Sequence, residues 1–230
     1  MAMDSVGYAT DASLWMLGGL LAYLAVRNVI RYRTEPRGAL LWWATGLGAA
    51  AAAMMLEAVV FVGISAPGLL DAYFFLTAAT VAALSIGATG VLGHRRIELG
   101  YEGYILAVTA AVGVASFSLP LPDGIVSNGV ISGSPSVWVV VLSSLVTFPA
   151  TILLLAATAL AIRSSRQWRP GLIVVGVGVL AAGGTLYIAS LPAALYYAEF
   201  LGILLLFLGL VSLPHARPAK APSPAGRPAP

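Results

Sequence analysis

Cysteine is absent from the 230 residues, and lysine occurs once, at Lys220. Without cysteine there is no disulfide framework, no thiolate metal site and no thiol nucleophile, and the redox compartment stays undetermined. Without a lysine inside any apolar segment there is no Schiff-base partner, so a retinal pigment is excluded and no retinal is expected. Cofactor identity is otherwise not written in the sequence. Charge is scarce as well. Only 9% of residues are Asp, Glu, Lys or Arg, against 60% hydrophobic, whereas a soluble domain carries about a quarter charged residues. An integral membrane protein is expected.

Other absences narrow the chemistry. The opening stretch "MAMDSVGYATDAS" has no basic n-region and no small-residue cleavage site, so a cleavable signal peptide is not expected. Gly176-Val177-Gly178 falls mid-helix with no strand before it and is not a nucleotide loop. His94 and His215 each close a helix with no acid or second ligand at metal spacing, which fits a helix C-terminus better than a metal site. No His, Lys or acid pair at helical spacing lies in the inner half of the apolar segments. Catalysis is therefore the least favoured function.

Seven apolar runs are present, at approximately 14–30, 39–63, 69–93, 103–119, 136–162, 170–190 and 193–213. A bilayer core of about 30 Å needs roughly 17 to 25 residues of helix rising about 1.5 Å each. The expected fold class is an all-α, multi-pass membrane protein with a seven-helix transmembrane domain over 14–213. Residues 1–13 form an external N-terminus, and 214–230 a Pro/Ala-rich cytoplasmic tail whose composition cannot bury a core and is expected to be disordered.

The cations set the orientation. Arg27, Arg31, Arg33 and Arg37 surround the first loop, Arg95 and Arg96 the third, Arg163, Arg166 and Arg169 the fifth, and Arg217, Lys220 and Arg227 the tail. The intervening loops carry none and instead hold Asp4, Asp11, Asp71 and Asp123. Because basic loops are retained in the cytoplasm, the N-terminus is expected outside and the C-terminus inside, in a cell membrane. The basic residues then serve topology at the lipid surface, and no nucleic-acid partner is expected.

Two internal patterns stand out. Residues 37–96 and 169–218 each run from an arginine-glycine or arginine-proline-glycine start through a small-residue helix, a proline turn and an acid among aromatics to a histidine. Adding the helix before each gives a 3+1+3 parallel repeat, which resembles the broad architecture of several seven-helix transporters and would place a site between the halves. The stretch "DGIVSNGVISGS" puts Asn128-Gly129 between two β-branched triplets, the signal for a short β-hairpin between helices four and five. On this topology the hairpin is external, as a rim or lid on the helix ends; the plainer alternative is a spacer loop.

The polar residues inside the apolar runs are the candidate site. Glu57 lies about 18 residues from the inner end of helix two, or roughly 27 Å of rise, and Glu199 sits early in helix seven. Asp71 and Tyr73 open helix three, and Tyr187 and Tyr197 flank the turn between helices six and seven, at the same depth. Together these six are expected to form an outward-facing acidic and aromatic ligand vestibule. The competing account makes Asp71 a cap, the tyrosines an interfacial belt and Glu199 a snorkelling acid. Ser143, Thr147 and Thr151, spaced by four residues beside Pro149, form a hydroxyl stripe that lines either a polar path or a helix interface. Gly46, Ala50, Ala83, Gly87, Gly176, Gly183 and Gly184 are expected at close helix contacts.

The leading expectation is a small-solute or ion transporter or channel centred on Glu57 and Glu199. The alternative is a non-catalytic seven-helix sensor or accessory subunit. Expected partners are the lipid bilayer and another membrane protein or a second copy of the chain. Substrate and oligomeric state are not legible.

Overall fold

A computed structural model describes residues 5–91, 95–127, 130–131, 134–165, 168–188 and 192–211. Among these, seven α-helices follow in order: α1 (Ser5–Thr34), α2 (Gly38–Phe61), α3 (Pro67–Ala88), α4 (Arg95–Ser118), α5 (Val137–Ser165), α6 (Leu172–Ile188) and α7 (Pro192–Val211). Helices α1 to α5 are long and apolar enough to cross a membrane. The apolar runs locate all seven but misplace two starts. α1 begins at Ser5 and α4 at Arg95, because an apolar run marks only the part of a helix that suits lipid. Arg, Glu and Leu are good helix formers, so the helix continues through Arg95, Arg96 and Glu98 beyond the apolar window.

Local chemistry explains the turns. α2 ends where Gly63 takes a left-handed φ of +95°, and the Gly63 and Ile64 amides return to the Val60 and Val59 carbonyls at 2.9 and 3.2 Å. Pro67 then starts α3, at a position where a missing N–H costs nothing. Pro36 separates α1 from α2. There Glu35 pairs with Arg31 at 3.5 Å and Arg37 at 3.6 Å, half-exposed contacts that contribute about 0–1 kcal/mol.

Small residues set the helix spacing. A methyl on Gly46 would meet Leu84 Cγ at 2.9 Å, one on Gly176 would meet the Gly202 carbonyl oxygen at 2.8 Å, and one on Gly87 would overlap the Trp43 ring. Gly46, Gly87 and Gly176 thus stand at close contacts, as expected from sequence; the surroundings of Gly183 and Gly184 lie outside the described residues. Gly202 and Gly209, not anticipated, press on Leu180 and Ile173 in the same α6–α7 seam. The two triplets of the suggested repeat pack differently: α1 lies closely along α2, whereas α5 rests on α3 and α4 and touches α6 only lightly.

Pro149 lies inside α5. It has no N–H, so the Leu145 carbonyl four residues earlier loses its helical donor. Tyr104 of α4 replaces it, donating its hydroxyl to the Leu145 oxygen at 3.0 Å. Tyr104→Phe should therefore cost about 1 kcal/mol, the usual worth of such a bond. In a Pro149→Ala background, where the backbone N–H is restored and supplies the donor, the same change should cost almost nothing. Thermal unfolding of the four variants reads the difference, and equal costs in both backgrounds would refute it.

Between α4 and α5, β1 (Val126–Ser127) pairs antiparallel with β2 (Val130–Ile131), in the register Val126↔Ile131 and Ser127↔Val130. Only two residues contribute on each side, and Asn128 and Gly129 lie outside the described residues. Such a pairing cannot hold itself in water. It is anchored by Ile125, buried against Val60 near the end of α2 and Leu70 near the start of α3. Ile125→Asp should release this segment while leaving the helices intact, which limited proteolysis at 119–136 would report as new cleavage.

Candidate functional site

α6 and α7 pack closely on each other and less closely on the rest, and a cavity of about 410 Å³ remains where they face α2, α3 and α5. Each helix lends one face at helical spacing: Ala50, Ala53, Met54 and Glu57 from α2; Thr77, Thr80, Val81 and Leu84 from α3; Thr147, Thr151 and Leu154 from α5; Val177 and Leu180 from α6; and Glu199, Ile203 and Leu206 from α7. Successive helices alternate in direction, so Glu57, Glu199, Thr77 and Thr147 come together at the end away from the arginine loops. Ala50, Leu84, Leu154 and Leu206 close the other end.

The two acids meet. Glu57 is buried, its carboxyl accepts a hydrogen bond from the Tyr73 hydroxyl, and it lies within hydrogen-bonding reach of the Glu199 carboxyl. Glu57 Oε2 has no hydrogen-bond partner among the described residues. Glu199 is surrounded by protein yet keeps some accessible surface, because it borders the cavity. Two carboxyls so close cannot both be ionised unless a cation lies between them; otherwise they share a proton. Among the described residues no Lys, Arg or His lines the cavity.

The hydroxyls complete the polar end. Thr77 donates to the Phe74 carbonyl at 2.9 Å, Thr80 to the Leu76 carbonyl at 2.9 Å and Thr147 to the Ser143 carbonyl at 2.9 Å. Their donors are satisfied within their own helices, so each offers the cavity only acceptor lone pairs.

The candidate residues fall into two groups. Glu57, Glu199 and Tyr73 form one cluster, and Thr147 and Thr151 of the stripe line the same cavity. Ser143 meets it only through its carbonyl to Thr147. Asp71 stands outside the cavity, half-buried, with an Oδ1 that has no partner among the described residues. Tyr197 is 49% exposed, on the outer surface of α7, because position 197 lies two residues, roughly 200° of helix, from Glu199. The Tyr187 side chain lies outside the described residues. Thr77 and Thr80 were missed; their signal was the spacing Thr77, Thr80, Leu84, which puts them on one face of α3. Among the described residues no group of three His, Cys, Asp or Glu side chains is placed to hold a metal ion. Comparison with known protein families, characterised proteins and solved structures gives no match.

Proposed function

We propose that this is an integral membrane protein that binds a small solute or ion at the Glu57–Glu199 cavity and carries it across the bilayer. One observation carries the reading: acids from α2 and α7, distant in sequence, adjoin inside a cavity that also gathers threonines from α3 and α5. Burying a carboxyl beside another carboxyl is costly, and intramembrane acids persist where a ligand uses them. The outer faces support the membrane setting, since Met16, Val114, Phe148 and Ile152 are all at least 67% exposed, an arrangement suited to lipid and not to water.

With the arginine loops retained inside, the N-terminus lies outside, and the acid end and the paired segment at 126–131 face outward, the latter as a rim on the helix ends. Asn128→Cys should react with a membrane-impermeant thiol reagent in intact cells and Ser164→Cys should not; the reverse labelling would invert the site.

The transport reading is tested in proteoliposomes loaded with a pH-sensitive dye, with gradients of Na⁺, K⁺ and small ammonium ions imposed across them. Wild-type protein should couple at least one gradient to proton movement, and Glu199→Gln should reduce the signal at least tenfold. A ligand-stabilised protein that gives no signal above empty vesicles would make it a sensor or accessory subunit instead.

A further inference from the structure

We infer that the cavity's ligand is a monovalent organic cation with an apolar body, exchanged for a proton at Glu57 and Glu199; the exchange, though not the ligand class, rests on the transport reading. The charge argument comes from what surrounds Glu57. α3 offers Tyr73 and α7 offers Glu199; toward the same helix ends, Asp71 of α3 and Asp11 of α1 each keep a buried Oδ1 without a partner among the described residues. The cavity faces of α5 and α6 bring Thr147, Thr151, Val177 and Leu180, none of them charged. Among the described residues every ionisable side chain at this end is an acid, and no Lys, Arg or His lines the cavity. Glu57 lines the cavity, and its buried Oε2 has no donor among the described residues. The positive charge must arrive with the ligand.

Shape separates an organic cation from a metal ion. A bare hard cation demands about six or more oxygens at roughly 2.0–2.6 Å. Here the carboxyl and threonine oxygens gather toward one end without closing into a cage, and the wall continues through Ala50, Leu84, Leu154 and Leu206. A volume of about 410 Å³ lies in the range of small-molecule pockets, which are mostly apolar with a few placed polar groups. An ammonium head at the carboxyls and a hydrocarbon or aromatic body along the apolar wall would fill both parts.

The exchange balances. With the site empty, one proton shared by the facing carboxyls relieves their repulsion. A monovalent cation entering from outside takes its place, and that proton leaves to the outer water. When the cation departs on the other side, a proton from that side restores the pair. No bond other than O–H is made or broken, and one charge moves each way.

The test uses the full chain in detergent, with benzyltrimethylammonium, which cannot itself titrate, 2-phenylethylamine, and neutral 2-phenylethanol as the shape control. Both cations should raise the unfolding temperature at pH 8 and the alcohol should not. Apparent affinity for benzyltrimethylammonium should weaken on acidification by up to about tenfold per pH unit, the limit for one proton exchanged against one cation. Glu57→Gln and Glu199→Gln should each weaken it at least tenfold; should one variant fail to fold, the other and the wild-type pH profile decide. Equal binding of the alcohol, pH-independent binding, or stabilisation by Na⁺ or Ca²⁺ alone would overturn the inference. In the last case transport of an inorganic ion would survive, whereas cation binding without flux would overturn the transport reading and leave the ligand class standing.

Discussion

Gly87→Val should cost more than about 3 kcal/mol and leave little folded protein, the largest effect expected of any single substitution on the α2–α3 contact. Overpacking a tight core typically costs 1–3 kcal/mol, when neighbours can shift by fractions of an ångström. Here the first added carbon already overlaps the Trp43 ring. That ring is 1% exposed and sits in the core that joins Leu40, Leu84, Ala88, Leu154 and Leu206, so it has nowhere to swing. Valine adds two further carbons in the same direction. Gly48 gives the contrast, since nothing lies within 4 Å of a methyl placed there. Gly48→Ala should gain up to about 1 kcal/mol through helix propensity alone. Combining Gly87→Ala with Trp43→Leu should recover part of the loss, a non-additivity expected only of residues in contact. Yield of monodisperse protein and thermal unfolding in detergent measure all four, and a Gly87→Val protein as stable as the wild type would show that α2 and α3 do not meet there.

The legible part of this molecule is the part governed by local composition. Apolar length located seven helices, the proline turn at Pro67 marked the passage from α2 to α3, and Gly46 and Gly87 gave away close contacts because small residues have few other uses mid-helix. What sequence concealed depends on which faces the tertiary contacts bring together. Glu57 and Glu199 could be matched by depth, but their adjacency requires α7 to lie beside α2, a neighbour relation that no periodicity encodes. The stripe at Thr147 and Thr151 and the acids read as separate features for the same reason; a single cavity joins them. Tyr73, near a helix end, fitted the vestibule or the interfacial belt from sequence, and its hydroxyl turns inward to Glu57. Tyr197, equally close to its helix end, turns outward. Depth is shared by every residue at one level of a bundle, whereas direction is fixed by helix rotation, and rotation was the missing quantity.

Glu57→Met should raise thermal stability while abolishing ligand response. Methionine matches glutamate in length and lack of branching, so the site is not emptied or overfilled. Removing the carboxyl removes a buried polar group with an unpartnered oxygen, whose burial costs about 1–3 kcal/mol on mutational scales, together with the repulsion it exerts on Glu199. Against this stands the Tyr73 hydroxyl, which loses its acceptor and gives back about 1 kcal/mol. The net expectation is a gain of up to about 2 kcal/mol, the pattern of a residue retained for function at the expense of stability. Glu57→Gln keeps the shape and an acceptor for Tyr73 but cannot release a proton. It should fold like the wild type, lose at least tenfold in cation affinity and show a changed pH profile, because only Glu199 is left to exchange a proton. The two variants together separate the roles open to Glu57. A residue kept to anchor Tyr73 would make Glu57→Met less stable than the wild type and leave Glu57→Gln with the wild-type cation affinity and pH profile, and that pair of results would remove Glu57 from the site.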